Sequence, residues 1–295
     1  MLLIGQSLEL HRAPLRAALA ARDPGPLLAN ARAQRTLGAD ALDLGAGVDG
    51  AALDLLWAAA TLRVALPGVP LLLDAGRPAA LASALDLCER DGVAGPLVAN
   101  ALPVDEARTT AGEALLRAAV RAQATLVLSP RALDDPKRAE ADRLAEACRE
   151  ALAAARTAGF TRECYVDSLA YPPALDAARA RRSLALLRLL RGTHGVVPLV
   201  AVGNVGHGAP HELRPALRLA YAAAACGAGA GALLLPVEQP GLVAAVRAAS
   251  GASAPSGALE TWARAVAEAS ATGARVPPAP QARPALAAAA RLLFG

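Results

Sequence analysis

The chain has very few aromatic residues and almost no lysine. Aromatic side chains make up 2% of its 295 residues, and Lys137 is the only lysine. The formal net charge is +4, but no basic cluster is interleaved with aromatic residues in a way that could follow a phosphate backbone. These absences argue against a nucleic-acid partner, and the length allows one large core without a second domain.

Paired cysteines and targeting segments are also lacking. The four cysteines lie far apart and form no CxxC pair, so neither a zinc site nor a disulfide framework is indicated. The apolar stretch at the N-terminus is too short for a signal peptide, and we expect a cytoplasmic protein with reduced thiols. The uncharged run 219–237 is interrupted by glycines and Pro236, which predicts a helix end, a turn and a buried strand instead of a membrane span.

Sequence motifs for phosphate or metal binding are absent. The segment GAGVDG at 45–50 lacks the GxGxxG spacing, and no GxxxxGK[ST] motif occurs. His207 and His211 could bind a metal as a pair only on a helix, and Gly208 and Pro210 argue against a helix there. The sequence therefore predicts no bound metal.

Short apolar runs alternate with longer stretches of helical periodicity, which is the pattern of repeated βα units. Eight such pairs favour a closed (β/α)₈ TIM barrel over an open sheet. The predicted strands are 2–5, 41–45, 70–76, 96–100, 125–129, 164–168, 198–204 and 231–236. The predicted helices are 24–37, 51–66, 78–91, 105–122, 137–158, 174–191, 210–226, 238–249 and 257–270. We assign 1–272 to the barrel and 273–295 to a Pro-rich spacer and a C-terminal helix, ALAAAARLLF, that packs on the barrel or on a partner subunit.

Polar residues interrupt the apolar strands at or just beyond their predicted C-terminal ends, where this fold carries its active site. Each of them could instead cap a helix or order a turn. Together they form a mixed set of carboxylates, carboxamides and one hydroxyl, which can recognise the edge of a pterin or purine ring. The set comprises Gln6, Asp43, Asp74, Asn100, Ser129, Asp167 and Asn204.

Several ordered segments resemble one known family. They are MLLIGQSLELH, ARDPGPLLANARAQRTLGADALDLGAG, LLLDAG, YVDSLAYPPA and AVGNVGHGAPHELRPALRLAYAAAACGAGAGALLLP. Over most of residues 1–250 the chain resembles the methyltetrahydrofolate:corrinoid methyltransferases. This family belongs to the pterin-binding barrel superfamily, which also contains dihydropteroate synthase.

The resemblance implies specific roles for the polar residues. Asp74, Asn100 and Asp167 would hydrogen-bond the pterin ring, and Asn204 would act in catalysis at the ring nitrogen that bears the methyl group. The remaining pterin-binding candidates are Asp43, Gln6, Ser129, His207 and Arg214. The substrate would be methyltetrahydrofolate or tetrahydrofolate. The cobalamin cofactor would arrive on a partner, a corrinoid iron–sulfur protein or a similar corrinoid protein, and the chain would form a homodimer.

The chain also departs from the family pattern. Gly45 stands where the family usually has asparagine, Gly203 where it has serine, and Gln6 where it has an acidic residue. Placing Asn100 in the family pattern requires a one-residue shift of the alignment in the fourth strand. These changes leave open a pterin-binding paralogue without transfer activity. Dihydropteroate synthases use a barrel lysine near the pterin, and Lys137 is predicted to lie away from the rim. Dihydropteroate synthase activity is therefore the less favoured alternative.

Overall fold

The computed structural model describes residues 1–47, 51–130, 140–281 and 283–295. The strands are Leu2–Glu9 (β1), Ala41–Gly45 (β2), Leu71–Asp74 (β3), Leu97–Pro103 (β4), Thr125–Ser129 (β5), Cys164–Asp167 (β6), Val196–Ala201 (β7) and Ala232–Leu235 (β8). The helices are Leu15–Ala21 (α1), Gly25–Thr36 (α2), Ala52–Ala65 (α3), Pro78–Arg90 (α4), Thr110–Arg121 (α5), Ala141–Thr157 (α6), Ala177–Leu190 (α7), Arg214–Ala228 (α8), Leu242–Ala249 (α9), Ala258–Thr272 (α10) and Pro284–Phe294 (α11).

The strands follow one another in chain order, from β1 to β8, around a closed barrel. The backbone amide of Leu2 donates to the carbonyl of Gly231, just before β8, over 2.9 Å. Strands of this kind are covered on both faces, which is why they consist of continuous apolar runs such as the fully buried Leu71–Leu73. The prediction of a (β/α)₈ barrel is therefore confirmed.

Two compact units make up the chain. The N-terminal unit contains the described residues from 3 to 130 and residues 146–166, with β2 to β5 and most of β1 and β6. The C-terminal unit contains residues 1–2, 140–145 and 167–295, with β7, β8 and the helices from α7 to α11. The candidate site residues are divided between them, and each unit is described separately below.

Strand β1 is longer than predicted. It continues to Glu9, so the prediction that Gln6 lies at the strand end is wrong. The pairing with β2 shifts register between Gly5 and Leu8, which marks a bulge. Helix α2 supplies the missing partners, because Gln34 Oε1 accepts from the Ser7 amide at 3.3 Å and Asn30 Nδ2 donates to the Ser7 carbonyl at 3.4 Å.

Several helices begin later than predicted because capping residues define their first turns. Asp176 Oδ1 accepts from the Arg179 amide at 3.0 Å, which starts α7 at Ala177. Thr109 caps α5 in the same way, and a short 3₁₀ turn at 104–106 precedes it. Helix α1 was not predicted. Lys137 and residues 48–50 lie outside the described residues.

The C-terminal tail ends in the predicted helix. Helix α11 packs against α8 and α7 of its own chain, with Leu286, Ala289 and Leu293 buried. Within the described parts of the chain, none of the helices combines the length and the apolar character needed to cross a membrane.

Candidate functional site

In the N-terminal unit, three of four neighbouring strands place a polar side chain at the same level of the sheet, and the fourth has a glycine there. The register pairs Glu9 with Gly45, Gly45 with Asp74, and Asp74 with Asn100. Asp74 is the last residue of β3, as predicted, whereas Asn100 lies inside β4 because that strand continues to Pro103. Both side chains are partly exposed. Residues opposite each other in parallel strands share a face, so a carboxylate and a carboxamide lie side by side.

Asp43 lies two residues before Gly45 on β2, and therefore on the same face of the sheet. It was predicted at the strand end but lies in the middle of the strand, with 5% of its surface exposed. Asn100 Nδ2 donates to Asp43 Oδ1 at 3.4 Å.

Burial raises the pKa of Asp43 well above its usual value, and the nearby carboxyls of Asp74 and Glu9 raise it further, while the hydrogen bond from Asn100 lowers it. These effects favour the neutral carboxyl, which can donate a hydrogen bond as well as accept one.

The remaining candidates in this unit are Ser129 and Gln6. Ser129 is the last residue of β5, as predicted, and it is buried, with its main chain paired to Pro103 of β4. Gln6 lies in the bulge of β1 and is half-buried. Glu9, which the sequence analysis missed, occupies the true end of β1. Glu9 could have been identified only if the full length of β1 had been predicted.

In the C-terminal unit, Asp167 is the last residue of β6 and is half-buried. Its Oδ1 accepts from the Leu169 amide at 3.0 Å, and Leu169 has a left-handed backbone with φ +57°. The intervening Ser168 amide donates to the Leu199 carbonyl of β7 at 2.8 Å. The turn that follows Asp167 is thus held by the Asp167 side chain and by the neighbouring strand β7.

Asn204 lies just beyond β7, as predicted, in a 3₁₀ turn at 202–206. Its side chain is exposed, as is that of His207, whose amide donates to the Asn204 carbonyl at 3.1 Å. An exposed amide at the end of a strand can contact a ligand without first losing an internal partner.

Arg214 is the first residue of α8, and its Nε donates to the carbonyl of Ala209 at 2.9 Å. Part of its guanidinium therefore holds the loop after β7. Gly206 lies against this helix: a Cβ atom there would meet Arg218 Nε and Nη2 at 3.2 Å. Burial, and then the charge of Arg214, lower the pKa of Arg218, while Glu238 raises it.

Among the residues that the structure describes, no three His, Cys, Asp or Glu side chains are placed so as to hold a metal ion.

No family model and no curated protein sequence matches the chain. Solved structures do match. One is dihydropteroate synthase from Xanthomonas albilineans in complex with 7,8-dihydropteroate, with a TM-score of 0.59, 22% identity, and coverage of 86% of this chain and 94% of that one. Another is the Yersinia pestis enzyme with a pterine-sulfa conjugate, with a TM-score of 0.62, 16% identity, and coverage of 85% and 93%. At these identities the likeness establishes the fold: the chain has the (β/α)₈ barrel of the dihydropteroate synthases.

Proposed function

We propose that this chain is a methyltransferase that moves a methyl group between methyltetrahydrofolate and the cobalt of a corrinoid. The corrinoid would be carried by a partner, a corrinoid iron–sulfur protein or a similar protein. The resemblance of the sequence to that family supports the proposal, and so does the pterin-binding fold class of the structural neighbours.

The observation that carries the proposal is the chemistry of the strands. Their ends bear carboxyl, carboxamide and hydroxyl groups, and none of the eight strand segments as bounded above contains lysine or arginine. The synthase alternative depends on a barrel lysine, for which these strands offer no counterpart. Methyl transfer from a neutral tertiary amine requires no such cation on the strands.

The residues of the N-terminal unit would bind the pterin ring. Asp74 accepts hydrogen bonds only, whereas Asn100 both donates and accepts, so the pair suits a ring edge with N–H and carbonyl groups. Asp43, in its neutral form, adds a second donor. These contacts hold the ring equally before and during reaction, so they contribute to affinity more than to rate.

In the C-terminal unit, the resemblance assigns Asp167 to pterin binding and Asn204 to the leaving nitrogen. A tertiary amine is a poor leaving group, and a hydrogen bond to its nitrogen stabilises the charge that changes there as the methyl leaves. The corrinoid supplies the methyl acceptor. The role of this chain is to orient the methyl toward it.

Two other functions have specific support. The solved structures described above are dihydropteroate synthases, which favours condensation chemistry. The glycines at positions 45 and 203 favour a folate-binding paralogue without transfer activity.

The proposal is tested by adding methyltetrahydrofolate to the purified chain with free cobalt(I) cobalamin under anaerobic conditions. Formation of methylcobalamin, followed by its absorbance, is the expected result. Folate binding in calorimetry without any transfer would support the paralogue instead. Condensation with para-aminobenzoate would support the synthase, and no pterin or folate binding would refute all three functions.

Restoring the family asparagine at position 45 should increase transfer. A Cβ atom at Gly45 would approach Glu9 at 3.8 Å, which is ordinary van der Waals contact, so a β-carbon is accommodated there. If the added amide makes one new hydrogen bond in the transition state, Gly45→Asn should raise the transfer rate by about fivefold to tenfold. Gly45→Ala is the control, because it adds the β-carbon and restricts the backbone in the same way without adding an amide. A folded Gly45→Asn variant with no gain over Gly45→Ala would show that this glycine is not the missing contact.

A further inference from the structure

Three buried hydroxyl groups in the C-terminal unit form a chain that ends beside Asp167. Tyr221 of α8 is fully buried, and its hydroxyl donates to Ser183 Oγ of α7 at 2.7 Å. Ser183 Oγ lies 3.1 Å from Ser168 Oγ. Ser168 follows Asp167 directly and is 2% exposed. Two helices are thus connected by side-chain hydrogen bonds to the end of β6.

The hydroxyl of Tyr221 donates its hydrogen to Ser183 Oγ. Ser183 Oγ can still donate or accept a second hydrogen bond, so either serine hydroxyl can be the donor between Ser183 and Ser168. Burial raises the pKa of Tyr221, as does the charge of Asp167, while the hydrogen bond with Ser183 lowers it. Tyr221 therefore remains a protonated donor at neutral pH.

Buried hydroxyls have a free-energy cost unless they are paired, so such a chain needs all its members. Ser168 is held at two points, by Ser183 through its hydroxyl and by the Leu199 carbonyl through its amide. The residues on either side of it are Asp167, at the end of β6, and Leu169, with its left-handed backbone. Movement of Ser168 would therefore turn the Asp167 carboxylate.

We infer that Tyr221, Ser183 and Ser168 are positioning residues that fix the orientation of the Asp167 carboxylate for a pterin or folate ligand. This inference rests on the proposed function only in that the proposed function identifies the ligand as a pterin or folate. None of the three residues needs to touch the ligand. Their effect on binding should pass through Asp167 alone.

The first test needs no ligand. In Tyr221→Phe, the Ser168 and Leu169 amides should exchange with deuterium about fivefold to tenfold faster, as expected for one lost hydrogen bond. The amides inside β7 should keep their wild-type rates. Ser183→Ala interrupts the same chain in its middle and should give the same pattern. Ser270→Ala is the matched control, because it removes another buried hydroxyl, one that donates to the Ala224 carbonyl at 2.8 Å. The inference would be overturned if the amide exchange rates rose equally throughout the unit, or if those of Ser168 and Leu169 did not change.

The second test is a double-mutant cycle on tetrahydrofolate affinity measured by calorimetry. Tyr221→Phe should weaken binding about fivefold in the wild-type background and by less than about twofold in the Asp167→Asn background. Equal losses in both backgrounds would mean that Tyr221 acts by another route, and the inference would fail. If the wild-type chain binds no pterin or folate, the proposed function fails, and the exchange rates alone then decide whether these residues position Asp167.

Discussion

Replacing Asn204 with alanine should lower the rate of methyl transfer about a hundredfold while changing folate affinity by less than about tenfold. The side chain is exposed just beyond the end of β7. The proposed function assigns it to the nitrogen whose charge changes most during reaction. A hydrogen bond that strengthens in the transition state affects rate more than ground-state binding. Single-turnover transfer to cobalt(I) cobalamin is the measurement, because turnover with a protein partner could be limited by docking.

Asp74→Ala provides the contrasting variant for this experiment. Asp74 would hold the ring edge equally in the ground state and the transition state, so its loss should mainly weaken affinity. Equal losses of rate and affinity in Asn204→Ala would mean that Asn204 only holds the ring. Its catalytic role would then be withdrawn.

Replacing Asp43 with asparagine should stabilise the protein at neutral and alkaline pH, by an amount on the order of 1–3 kcal/mol. The folded state raises the pKa of Asp43 by burial and by the carboxyls of Asp74 and Glu9, so it binds the proton more tightly than the unfolded chain does. The stability of the wild-type protein should therefore fall as pH rises from about 3.9, the ordinary pKa of an unfolded aspartate, through the raised folded value. Asparagine has the same shape and no charge, and it can still accept the Asn100 hydrogen bond.

Urea unfolding from pH 4.5 to 9 measures this effect. The free-energy difference between Asp43→Asn and wild type should be small at the acid end and grow with pH until Asp43 is ionised. Asp105→Asn, which removes an exposed carboxyl in the same unit, is the control for loss of charge alone. A difference that does not change with pH would show that Asp43 is ionised throughout this range.

The barrel could be predicted because its strands are buried on both faces and alternate with amphipathic helices, two signals that lie within short windows. Helix starts were less predictable. Asp105 and Thr110 compete with Thr109 as caps, and Ala174 and Leu175 before Asp176 are themselves helix-forming residues. The bulge in β1 could not be predicted. It depends on Asn30 and Gln34, which look like ordinary polar positions of α2, and on Gly5, where a Cβ atom would collide with Gln34 Oε1.

The candidate site shows the same division between local and distant signals. Asp74, Ser129 and Asp167 lie at strand ends because an apolar run stops there, which the sequence displays directly. Asn100 was placed too near a strand end because β4 continues to Pro103, and the extent of a strand depends on its neighbours. Asp43 was grouped with the strand ends although β2 has its predicted bounds and Asp43 is its middle residue. The chain from Tyr221 through Ser183 to Ser168 joins residues that are distant in sequence, and only the packing of α7 and α8 reveals it.

The hydrogen bond between Leu2 and Gly231 has a consequence during protein synthesis. The first strand emerges from the ribosome long before β8, so the last strand pairing of the barrel must wait until nearly the whole barrel sequence has been translated. Contacts between such distant segments make folding slow. Until then, the open sheet has two edges with unpaired backbone groups, and such edges are templates for aggregation. Nascent chains that stall before Ala232 should therefore depend on chaperones more than the completed protein does.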